Sequence, residues 1–157
     1  MGKIERKFLA HYINAVPAGP AEYERLGKDL EEYSPELSAQ VDVKKNILGE
    51  TSVNISGYEK TGSVDTYYAD QGSPLFTLLQ KIIDNQLVGD DLKTDVVEVH
   101  LWEEASPEST YKAYKETAYI EVTGYGGDTT GYQIPFTLHY VGDRTAGTFN
   151  VSTKTFT

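Results

Sequence analysis

The chain has 157 residues, 39% of them hydrophobic, which suits one domain with a modest core. A net charge of −10, from 24 acidic and 14 basic side chains, argues against general affinity for a nucleic-acid backbone and favours solubility. Cysteine is absent, which excludes disulfides, thiolate metal sites and cysteine nucleophiles together.

No apolar run approaches the ~18 residues of a membrane-spanning helix. The start, Met1 to Lys7, is charged and no sustained apolar run follows it, so synthesis in the cytoplasm without a signal peptide is expected. Phe8, Ala10 and Tyr12 alternate with Leu9, His11 and Ile13, predicting a first strand buried on both faces and broken by Pro17 to Pro20. From Tyr23 to Tyr33 the periodicity is helical, with Tyr23, Leu26, Leu30 and Tyr33 in phase and Glu24 four residues before Lys28. Gly27 weakens that helix by about 1 kcal/mol relative to alanine.

Ala39, Val41 and Val43 alternate with Gln40, Asp42 and Lys44, a strand pattern. Asn46 to Glu50 reads as a loop, and Val53 with Ile55 opens another strand. Val64 to Tyr68 is short and β-prone. A helix over about 74–87 is the clearest element. Ser73 suits the N-cap and Pro74 the first helical position, and Leu75, Leu78, Leu79, Ile82 and Ile83 share one face, with Gly89 past the end.

Val97, Val99 and Leu101 predict a strand, and Glu103 to Lys112 an exposed hairpin loop. Ala118, Ile120 and Val122 then alternate, as do Ile134, Phe136, Leu138 and Tyr140, on either side of a glycine-rich turn at 124–131. That arrangement is the mark of antiparallel strands with one wet face. The sum is a mainly β single domain with one amphipathic helix.

Catalytic chemistry is not legible. His11, His100 and His139 lie in strand-like segments without ligand spacing, and the Asp84–Gly89 echo of a calcium loop lacks its side-chain ligands. Gly124-Tyr125-Gly126-Gly127 is followed by a strand, whereas a phosphate cradle requires a helix. Neither an enzyme activity nor a cofactor is expected. Twelve tyrosines, among them Tyr67, Tyr68, Tyr111, Tyr114 and Tyr125, suit either sheet-face packing or an adhesive surface.

Five segments in one order resemble the bacteriophage major tail proteins, the subunits of tail tubes. They are Glu24–Leu30, Lys45–Thr51, Ser63–Tyr68, Gly89–Thr94 and Tyr125–Phe136. The resemblance implies a β-sandwich or split barrel of two packed antiparallel sheets flanked by one α-helix, with a long extended loop or hairpin. It also implies self-assembly into hexameric rings stacked as a hollow tube in a virion tail, through which DNA passes without specific binding. Tape measure, initiator and terminator proteins are the implied partners, besides the chain itself. It favours a strand at 23–32 over the helical periodicity, and a segment at 42–63 reaching the next ring. The candidate assembly residues are Lys44, Lys45, Asn46, Ile47, Leu48, Glu50, Tyr67 and Tyr68. A long non-contractile tail is the preferred setting; contractile tails and bacteriocin-like particles share the family's fold. A monomeric β-sandwich module that binds carbohydrate or protein is the alternative, and an enzyme of unrecognised type the third.

Overall fold

The computed structural model describes residues 2–27, 33–65, 67–106 and 108–157. In chain order the strands are β1 (Leu9–Asn14), β2 (Tyr23–Arg25), β3 (Glu36–Lys45), β4 (Thr51–Val64), β5 (Lys93–Ala105), β6 (Thr110–Val122), β7 (Gly126–Asp128), β8 (Gly131–Gln133), β9 (Phe136–Asn150) and β10 (Thr155–Phe156). One α-helix, α1 (Pro74–Asn85), lies between β4 and β5. A single antiparallel sheet runs β2-β1-β5-β6-β9-β4-β3, with β10 on the far part of β9, and β7-β8 form a small second sheet. The described residues are thus mainly β with one α-helix. Among the described residues no helix is long and apolar enough to cross a membrane.

The large sheet bends sharply. Phe149 of β9 and Tyr12 of β1 are three strands apart in the ladder, roughly 14 Å in a flat sheet. Their rings nevertheless meet with centroids 4.5 Å apart. The bend is made where register shifts, between His100 and Glu104 on β5 and between Lys115 and Thr117 on β6. Gly142 on β9 adds a positive φ of 74°, which a residue with a Cβ adopts reluctantly. The far ends of β5, β6 and β9 therefore fold over the near part of the same sheet.

Two cores result, one on each face. Ile13, Val96, Ala118, Ile120, Phe136 and Leu138 pack against Leu75, Leu79 and Ile82 of α1. On the other face Ala10, Tyr12, Val97 and Val99 meet Ala113 and Phe149 of the folded-over half. Neighbours such as Tyr12 and Ile13, or Val96 and Val97, serve opposite cores, so β1 is buried on both faces as its pattern predicts. Each fully buried side chain of this kind contributes about 1.5–3 kcal/mol.

The helix starts as expected, with Phe76 N–H donating to Ser73 Oγ at 3.4 Å and Pro74 at the first position. It stops before Gly89. Gln86 takes the left-handed position (φ 47°), and Gly89 (φ 64°) instead opens a 3-10 turn, Gly89–Leu92. At 23–32 the strand is Tyr23–Arg25; residues 28–32 lie outside the described residues. Tertiary pairing overrides helical spacing here, because β2 registers on β1 and the buried Tyr23 hydroxyl donates to Asp95. The glycine-rich segment carries β7 and β8 themselves around a Thr129-Thr130 turn. A Cβ on Gly127 would stand 2.3 Å from the Gly131 carbonyl oxygen, so that ribbon requires glycine. The loop expected over Glu103 to Lys112 shortens to the span between Ala105 and Thr110, since both strands extend into it.

Candidate assembly surface

β3 pairs along its whole length with Thr51 to Thr61 of β4, as a ribbon. Only Thr61 to Val64 join the sheet, through Phe136 to His139 of β9. From there the ribbon leaves the body, and every residue of β3 is exposed. Directly opposed pairs place Val41 with Ile55 and Val43 with Val53 on one face. Ala39 with Tyr58 and Leu37 with Lys60 extend that face towards the root. A bulge between Gln40 and Val41 leaves Ser56 unpaired and brings Tyr58 and Ile55, three residues apart, into phase. The other face carries Gln40, Asp42, Lys44, Ser52 and Asn54. Val41, Val43, Val53 and Ile55 are all more than half exposed, so this amphipathic ribbon has an apolar face and no core beneath it.

The turn is held rigidly. Asn46 Oδ1 accepts from the N–H groups of Leu48 (2.9 Å) and Glu50 (3.0 Å), and Asn46 N–H donates to the Glu50 carbonyl at 3.0 Å. Gly49 supplies the positive φ of 81°. Ile47 and Leu48 are thereby displayed with 102% and 78% exposure. Lys44 lies 3.8 Å from Asp42 in an exposed pair.

A partly buried polar cluster lies at the root. Lys60 Nζ donates to Glu116 Oε1 at 2.7 Å and sits 4.6 Å from the centre of the Tyr140 ring. Arg144 reaches Glu98 at 3.0 Å and Glu116 at 3.4 Å, and covers the Tyr114 ring. The Tyr33 and Tyr140 hydroxyls are 2.6 Å apart, and burial pushes both well above the usual tyrosine range. Burial also raises Glu98, but the His11 and His100 rings and the Arg144 guanidinium outweigh it and hold the carboxyl below its usual range. His11 itself is driven down by burial against the pull of Glu98; its Nε2 lies 3.4 Å from Glu98 Oε1 without hydrogen-bond geometry. Among the described residues no group of three His, Asp or Glu is placed to hold a metal ion.

The eight candidate residues separate. Lys44, Lys45, Asn46, Ile47, Leu48 and Glu50 gather at the hairpin turn. Tyr67 and Tyr68 sit at the opposite end of β4, half-buried. Tyr67 packs its ring edge-on to Phe136 and donates to Ser73 Oγ at 3.0 Å, while Tyr68 bridges to Gln133. The pattern gave the strands Val41–Val43 and Val53–Ile55 but not the exposure of their apolar face. Alternation reports which side chains share a face, not what covers it.

The SPP1 tail tube, solved by solid-state NMR and cryo-EM, superposes with a TM-score of 0.66 over 92% of this chain and 78% of its own, at 15% identity. The chain shares the fold of that structure. The sheath/tube terminator of an extracellular contractile injection system, PVC in its extended state, gives a TM-score of 0.56 at 9% identity, covering 93% of this chain and 97% of its own. No protein-family model and no curated protein sequence matches the chain.

Proposed function

We propose that the chain is a structural subunit that self-assembles into hexameric rings, stacked as the hollow tube of a phage tail. The observation that carries this reading is the β3–β4 ribbon, an apolar face and a rigid apolar turn held out from a tail-tube fold. A surface of that kind is costly in water and is relieved by burial against other copies. Lys44, Lys45, Asn46, Ile47, Leu48 and Glu50 make the contact between rings, and Tyr67 and Tyr68, at the other end of β4, support the fold there. The net charge of −10 suits a lumen through which DNA slides without being held. Tape measure, initiator and terminator proteins are the partners such a tube requires, with synthesis in the host cytoplasm and a non-contractile tail as the setting. The role is structural, without catalysis. Light scattering across a concentration series, with electron microscopy of the most concentrated sample, tests it. Rings or open tubes are expected; a monodisperse monomer at every concentration would overturn self-assembly.

A further inference from the structure

We propose that the hairpin turn of one copy seats in a cup at the far end of the next copy, between the β1–β2 connection and α1; this rests on the tube reading above. Strand direction separates the two features. β1 pairs antiparallel with β5, β5 with β6, β6 with β9 and β9 with β4, so β1 and β4 point the same way. The turn precedes β4, whereas the connection from Ala15 follows β1, so the two lie at opposite ends of the sheet. β5 begins at that second end, bringing the Gly89–Leu92 turn with it.

There a cup of about 690 Å³ opens between Val16, Pro17 and Ala18 on one side and Pro74, Leu78 and Leu87 on the other. Its volume falls in the range of ligand-binding pockets and it opens widely to solvent, with an apolar floor and a polar, charged rim. Ile47 and Leu48 are the apolar side chains to fill it, since the turn presents them without any cover of their own. Charge agrees with that fit. The rim carries Glu22, Asp90 and Asp91, which face the turn's Lys44 and Lys45, while rim residues Lys81 and Lys93 suit Glu50. A knob and a cup at opposite ends of one chain form a heterologous contact. Such a contact repeats head to tail along an axis and leaves an open assembly. The cup thus commits the hairpin to a specific seat on a second copy of this chain.

Charge reversal on both sides tests the seat. K44E/K45E alone and D90K/D91K alone are each expected to raise the concentration needed for tubes by about tenfold or more. Combined in one chain, the four changes are expected to restore assembly towards the wild-type level. Because the chain has no cysteine, L48C with A18C supplies an independent readout. Oxidised tubes of that double variant should give a ladder of covalent multimers on a non-reducing gel, and each single variant no more than a dimer. Wild-type tubes with neither rescue nor ladder would overturn the seat alone. A wild-type chain that never assembles would overturn the tube reading itself.

Discussion

Gly62 sits on β4 where the hairpin leaves the body, and its missing side chain is occupied by Tyr33. A Cβ at Gly62 would stand 2.2 Å from the Tyr33 hydroxyl oxygen and 2.6 Å from Cζ. Ordinary contact is about 3.5 Å or more, so Gly62→Ala forces the ring to move by ~1.3 Å. The ring has little freedom: Tyr33 is buried, packs edge-on to His11 with centroids 4.9 Å apart, and is tied to Tyr140 by the 2.6 Å hydroxyl contact. Overpacking costs about 1–3 kcal/mol. A lost hydrogen bond that strands the Tyr140 hydroxyl costs about 1–3 kcal/mol more. Replacing glycine returns about 0.5–1 kcal/mol of backbone entropy, for a net loss of about 1–5 kcal/mol. In urea unfolding the midpoint should fall by about 0.5–2.5 M at a slope of about 2 kcal/mol/M. In a Tyr33→Ala background the same substitution should be neutral or mildly stabilising, because the obstruction is gone. An unchanged midpoint for Gly62→Ala in the wild-type chain would refute the packing argument.

Phe149→Ala removes the ring that joins the folded-over half to β1, and should cost about 3–5 kcal/mol in the same urea titration. Acid should destabilise the chain in two stages. His11 is held below its ordinary value of 6.5, so the unfolded chain binds more protons, and stability is lost as pH falls below about 6.5. Glu98 is depressed from 4.5, so its contribution is present above that value and is lost as pH falls further. Urea midpoints taken across pH should show both stages, and His11→Gln should remove the first. Ser73→Ala takes away the helix cap and the hydroxyl that also donates to Glu24 at 2.5 Å, and should lower stability by about 1–2 kcal/mol by the same assay.

The parts of this fold legible in the sequence are those that local chemistry decides. Ser73-Pro74 and the apolar face behind them announce α1, and the alternation in β1, β6 and β9 announces the sheet. Lys44 to Glu50 could be placed at a turn because Asn46 and Gly49 have the chemistry a turn needs. The sharp bend was not legible, since it arises from register shifts on β5 and β6 and from the distant meeting of Phe149 with Tyr12. Neither was the root cluster. Lys60, Glu98, Glu116 and Arg144 read singly as solvated charges, and only the topology brings four strands together around them. His11 and His100 read as ordinary strand residues, and what distinguishes them is the carboxylate between them. Tyr67 and Tyr68 stood near the hairpin in sequence and lie at the other end of β4 in space, because a 14-residue strand intervenes.

The most direct test compares the wild-type chain with Ile47→Ser/Leu48→Ser by electron microscopy and sedimentation at matched high concentration. Both side chains are solvent-exposed, so the variant should unfold within about 0.5 kcal/mol of the wild type. The wild type should form rings and tubes, and the folded variant should stop short of tubes. Tubes formed equally well by both would contradict the claim that this hairpin turn builds the assembly.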